Sequence, residues 1–124
     1  MDWLEDLAVT IHTRMARIFG EAFWDIHAPN STASAALSEV ASLRRRYRIR
    51  GVGFLAALAW KTAGGLGDPP QKLVLAFALN LSAFSTQALM VDFDQTATQV
   101  GVLTAGILQA FVKECLDGQV DARQ

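Results

Sequence analysis

Apolar positions recur along nearly the whole chain at alternating three- and four-residue steps, the period of one helix face. In the first segment Leu4, Ala8, Ile11, Met15, Ile18, Ala22 and Ile26 carry that stripe. Asp2 is placed to cap its start and Pro29 to end it, which predicts a helix of about 25 residues followed by "APNST" as the connection. A second helix opens at Ser31 or Thr32 and carries Leu37, Val40, Leu43 and Tyr47 along one side. Gly51 and Gly53 are expected to break or bend the chain, so that "FLAALAWKTA" forms a short, largely buried third helix closed by "GGLG". "GDPPQK" reads as a helix start with Asp68 as N-cap and Pro69 in the first helical position. The fourth helix then turns Leu73, Val74, Phe77, Leu81, Phe84, Ala88 and Leu89 inward and ends at the turn "VDFD". The fifth begins near Thr96, buries Val100, Leu103, Ile107, Phe111 and Cys115, and stops at Gly118 as its C-cap. No stretch alternates with period two over a useful length. The expectation is an all-α fold, a compact bundle of about five helices forming one domain over residues 1–117, with residues 118–124 as a frayed tail.

Composition supports a folded domain: 124 residues, 52 % apolar and 19 % charged, are enough to bury a core and exclude a disordered chain. The net charge of −1 predicts no acidic partner, but its distribution does more. Between Arg44 and Lys72 there are seven basic residues and one acid, a local balance of +6 against −7 for the remainder. The segment "SLRRRYRIRGVGFLAALAWK" concentrates five of them, Arg44, Arg45, Arg46, Arg48 and Arg50, directly before an apolar run.

Other chemistry finds little support. A single cysteine, Cys115, excludes an internal disulfide and a multi-cysteine zinc site, and on the apolar stripe of the last helix it reads as a small hydrophobe. His12 and His27 lie fifteen residues apart, too far for a metal pair on adjacent turns, and His27 reads as a favourable charge near a helix C-terminus. Asp2, Glu5 and Asp6 suit a helix start. Neither a phosphate loop nor a dinucleotide fingerprint occurs, so we expect no enzyme and no cofactor. The acidic start "MDWLEDLAVT" lacks the pattern of a secretory signal, which makes the cytoplasm the default location.

The arginines resist a bland reading. A solvated face mixes signs, because like charges a turn apart repel, yet no acid intervenes from Val40 to Asp68. On a helix Arg44 and Arg48 fall on one flank of the apolar stripe and Arg46 and Arg50 on the other, with methylene stems on the core and guanidinium groups outward. The planar fork of arginine suits bidentate phosphate contact. With about four arginines on single-strand phosphates, log affinity falls with log salt at a slope near −3, about fifty-fold for a fourfold rise in salt. The candidate nucleic-acid-binding residues are therefore Arg44, Arg45, Arg46, Arg48 and Arg50, with Lys61 further along. Trp3, Trp24, Trp60 and the seven phenylalanines read as core or interface filling, not as base-stacking platforms interleaved with the arginines. The bland alternative is a patch that pairs with acidic helices of this or another subunit.

The stretch "RGVGFLAALAWKTAGG" resembles a mid-chain pattern of the small helical subunits of multi-subunit CRISPR effector complexes, notably the type III-B RNA-targeting kind. That pattern is a basic residue, Gly-Leu, three residues, Leu-Ala-Phe, then a Lys or Arg and a Gly. Arg50, Gly53-Phe54, Leu58-Ala59-Trp60, Lys61 and Gly64 fit it, Phe54 and Trp60 being aromatic departures. The length, the helical reading and the ending "LQAFVKECLDG" are also similar, and the close match spans about sixteen residues. The resemblance implies a subunit without an active site. Several copies would stack as a filament along the backbone subunits that coat the guide RNA, their basic faces lining the channel for the guide–target duplex or the displaced strand. Arg44, Arg45, Arg46, Arg48 and Arg50 match that basic surface by position, whereas the acidic remainder and the few lysines depart from it.

Two rivals come from other classes. A helical DNA-binding regulator would need base-reading Asn or Gln beside the arginines, and none is there. A small membrane protein would use "LVLAFALNLSAFSTQALMV", 19 residues without a charge, and "TATQVGVLTAGILQAFV", with the arginines on the cytoplasmic side. Recurrent Asn, Ser, Thr and Gln in both stretches and the amphipathic first helix favour a chain outside the membrane.

Overall fold

Five helices are predicted and the described residues hold five α-helices, but they are not the same five. The computed structural model describes residues 2–19 and 35–123. Among these residues the chain forms α1 (Asp2–Phe19), α2 (Ala35–Thr62), α3 (Gln71–Asn80), α4 (Ala83–Gln87), a π-helical turn (Ala88–Asp92) and α5 (Ala97–Arg123), with no strand. The fold is all-α. Ala22, Ile26, His27, Pro29 and the proposed cap at Ser31 or Thr32 lie outside the described residues.

Two predicted helices merge. The chain runs as one helix through Gly51 and Gly53. A glycine in a helix interior costs about 1 kcal/mol relative to alanine. Burial of Val52 between the glycines and of Ala56, Ala59 and Trp60 one to two turns on offsets that cost. Termination comes at "GG" instead. The Gly65 N–H reaches the Trp60 carbonyl at 2.8 Å and the Gly64 N–H reaches that of Lys61 at 3.0 Å, a Schellman cap with Gly64 at φ +96°. A Cβ on Gly65 would collide with the Trp60 ring, so the loop folds flat over the indole.

One predicted helix splits. Instead of running from Pro69 to Leu89, it breaks at Leu81–Ser82 with a bend of 41°. Ser82 is extended, accepts the Ser85 N–H at 3.1 Å and donates to the Leu79 carbonyl at 2.8 Å, a new N-cap that competes with continuation. The start also differs. Asp68 is not the cap: Pro70 occupies that position and the helix begins at Gln71, because Pro70 pushes Pro69 out of the helical region. After the break Phe84 is exposed, while Leu73, Phe77 and Leu81 are buried as expected.

α5 begins as predicted: the Gln99 N–H donates to Thr96 Oγ1 at 3.1 Å and the Thr96 N–H to Gln99 Oε1 at 2.8 Å. It does not stop at Gly118 but continues to Arg123. Its buried stripe is rotated from the expected one. Val100 and Cys115 are inside, but Leu103 and Ile107 are 50 % and 44 % exposed, and Thr104, Ala105, Leu108 and Val112 take the inner positions. The reason is close approach to α1. A Cβ on Gly101 would lie 2.7 Å from the backbone N and Cα of Val9, so at this level the helices meet along small residues, and Leu103 and Ile107 are turned outward.

The core gathers Leu4 and Ala8 of α1, Ala56, Ala59 and Trp60 of α2, Leu73 and Phe77 of α3, and Leu108 and Val112 of α5. Gln119 ties the α2–α3 loop to α5 through both backbone groups of Leu66, each at 3.4 Å. Trp60 Nε1 donates to the same Leu66 carbonyl at 3.3 Å.

Candidate nucleic-acid interface

All six predicted basic residues stand on α2. From Arg44 to Arg50 the helix rises about 9 Å, and at 100° per residue the five arginines form a collar instead of a single face. Arg45, Arg46, Arg48 and Arg50 are exposed and Arg44 is half-buried. Arg48 is engaged within the chain: its Nη2 donates to the Ala78 carbonyl of α3 at 2.7 Å. Among the described residues no carboxylate pairs with Arg45, Arg46 or Arg50. Lys61 is exposed in the last turn, about 16 Å beyond Arg50 but on the same side of the helix.

The collar stands over an open groove of about 570 Å³ between α1, α2 and the α3–α4 break. Ile11, Met15, Val52, Leu55 and Leu81 make its apolar floor, and Arg44, Arg45 and Arg48 stand along its edge. These arginines therefore border apolar surface, but that surface is the groove floor and not the Leu43–Tyr47 stripe expected from the sequence.

The outward side of α2 departs from expectation. Leu43 and Tyr47, predicted inside, are exposed, Tyr47 at 69 %. Phe54, expected in a buried helix, is 67 % exposed. Because α2 is continuous, Leu43, Tyr47, Arg50, Phe54, Leu58 and Lys61 recur at three- and four-residue steps, opposite the buried Val52, Ala56, Ala59 and Trp60. Tyr47 and Phe54 were legible as partners of the arginines only by extending the helical stripe across Gly51 and Gly53. The stretch from Arg50 to Gly64 divides along this line. Ala59, Trp60 and Gly64 are architectural, whereas Arg50, Phe54, Leu58 and Lys61 point outward.

The second polar assembly is internal. His12 is fully buried where α1 crosses the α3–α4 break and α5. A carbonyl only accepts, so Nε2 carries the proton and donates to the Asn80 carbonyl at 3.1 Å, with Thr104 Oγ1 at 3.3 Å. Nδ1 accepts from the Thr86 hydroxyl at 2.8 Å. Burial holds the imidazole below its ordinary pKa, against the opposing hydrogen bond to Asn80. The histidine thus satisfies a carbonyl released by the helix break, a structural task that the sequence did not reveal. Cys115 is buried and desolvation raises its thiol pKa, consistent with a packing role. Among the described residues no three of His, Cys, Asp and Glu lie close enough to hold a metal ion. No single helix there is long and apolar enough to cross a membrane; α3 with the segment through Asp92 matches a span only as a pair across the 41° bend.

No protein-family model, curated protein or solved structure matches this chain.

Proposed function

We propose that the chain is a non-catalytic helical subunit that assembles inside an RNA-guided ribonucleoprotein, of the kind formed by CRISPR effector small subunits, and holds RNA or single-stranded nucleic acid by its phosphates. The observation that carries this reading is the arginine collar: Arg45, Arg46 and Arg50 are exposed on a 28-residue helix and paired with no carboxylate among the described residues. Guanidinium groups in that state gain most from a polyanion brought from outside. Backbone phosphates need charge on a rigid support and no base-edge readout, which fits a subunit that coats a guide or target strand of any sequence. Assembly in copies, and on guide-coating backbone subunits, is supported by exposed apolar side chains elsewhere, such as Val102, Leu103 and Ile107 of α5.

The test uses a fluorescent single-stranded RNA and the full chain. Arg48 holds α3 and Arg44 has a partner of its own, so the informative variant replaces only Arg45, Arg46 and Arg50 with glutamate. With about three phosphates contacted the salt slope is near −2, so a fourfold rise in salt weakens wild-type binding about twenty-fold. The triple variant keeps its helical circular dichroism and loses binding. Salt-independent affinity, or a variant that binds as wild type does, overturns the proposal. Membership of an effector complex is tested separately, by whether genes for guide-coating subunits neighbour this one.

A further inference from the structure

The outward face of α2 combines three features that the phosphate reading leaves unused. Tyr47 and Phe54 present aromatic rings to solvent at 69 % and 67 % exposure. They sit seven residues apart on one side of a continuous helix, about 10 Å along its axis, with Arg50 between them, Arg46 beside them and Lys61 further on. Between the rings stand Gly51 and Gly53, and a Cβ at either position would meet nothing within 4 Å. No packing inside the described molecule requires these two glycines, although each weakens the helix. Gly51, about 40–60° around the helix from the two rings, lowers the surface beside them, where a sugar–phosphate backbone can come close, whereas Gly53 lies about 100° away on the flank.

We propose that this face, resting on the polyanion reading above, is specific for unpaired nucleotides: Tyr47 and Phe54 stack on bases while Arg50 holds the phosphate between them and Arg46 and Lys61 hold phosphates to either side. The ring spacing corresponds to about three steps of a stacked strand at about 3.4 Å each. Every base has a π-face, so such stacking tolerates any sequence but demands that bases be accessible. A duplex satisfies the arginines and leaves the rings idle, because its bases are already stacked on each other. A lipid surface fits less well, since Arg50 stands within the apolar stripe and would be carried into the acyl layer with it.

The experiment compares binding of a 12-nucleotide single-stranded RNA, the same sequence in a duplex, and vesicles containing anionic phospholipid. Wild type is set against a Tyr47→Leu/Phe54→Leu variant, which keeps apolar area but removes the π-faces. Both side chains are largely exposed, so the variant melts within a few degrees of wild type. Single-strand affinity falls between about five- and 150-fold per ring, with the salt slope unchanged and duplex binding unaffected. Single-strand binding that is steeply salt-dependent yet equal in the leucine variant, or matched by the duplex, overturns the stacking while the phosphate reading stands. Wild type that binds neither RNA overturns both, and vesicle binding retained by the leucine variant in that case assigns the face to lipid.

Discussion

The seam between α1 and α5 and the outward face of α2 follow opposite rules. At the seam, Ala8, Gly101 and Ala105 are small, and the polar groups present are paired through His12. On α2 the side chains are large, aromatic and basic, and they stand in solvent. Bulky apolar side chains still fill the core, but at this seam small residues and a buried imidazole sit inside, whereas α2 keeps aromatic bulk outside. A helix pair that meets along small residues gains its stability from backbone proximity and dispersion. A face that keeps its large side chains outward contributes little to folding and much to recognition. Stability and binding should therefore separate by region.

The strongest way to break this comparison is at His12. Replacement by leucine leaves the part-buried Asn80 carbonyl without its donor and returns the Thr86 hydroxyl to the Ser82 carbonyl, which we expect to cost about 2 kcal/mol in denaturant melts. The same residue predicts a pH dependence. Its pKa is depressed in the folded chain, so the unfolded chain takes up the proton first as the pH falls. The His12 contribution is complete above the unfolded value of about 6.5 and is lost as pH drops below it. A His12→Gln variant should show a flatter stability profile between about pH 7 and 5; an identical profile would place the acid sensitivity elsewhere.

Gly101→Ala comes next. The added Cβ meets the backbone of Val9, which cannot rotate away, so about 2 kcal/mol of stability should be lost on forcing the helices apart. An unchanged melting temperature would mean the seam is looser than its geometry indicates. The smallest effect has the opposite sign. At Gly51 and Gly53, where a Cβ meets open space on an otherwise regular helix, alanine should stabilise by about 0.5–1 kcal/mol each. A loss of stability at either position would show that the glycine serves the fold, and the contrast between the regions would weaken.

Several elements were legible because their signals are local. The Thr96–Gln99 box sets the start of α5, and the double glycine after Thr62 ends α2. The stripe of Leu73, Phe77 and Leu81 finds the core at the expected period. What was misread depended on partners distant in sequence. Gly51 and Gly53 carry a breaking propensity that Val52, Ala56 and Trp60 overrule once they have a core to enter. Asn80 and Ser82 look like polar interruptions of a long helix, and only the arrival of His12, 68 residues away, gives the broken carbonyl a partner. Leu103 and Ile107 fit the helical period as well as Ala105 does, but the approach of Val9 to Gly101 decides which side turns in.

The sequence by itself determined the helical class, the clustering of arginines on one segment and several helix ends, because each depends on neighbours a few residues apart. The tertiary structure alone decided which apolar side chains remain outside, and so placed Tyr47 and Phe54 among the arginines. Periodicity states that a helix has an apolar side, but when several sides qualify the closest backbone approach selects among them. That selection depends on contacts between residues far apart in the chain, to which a local pattern is blind.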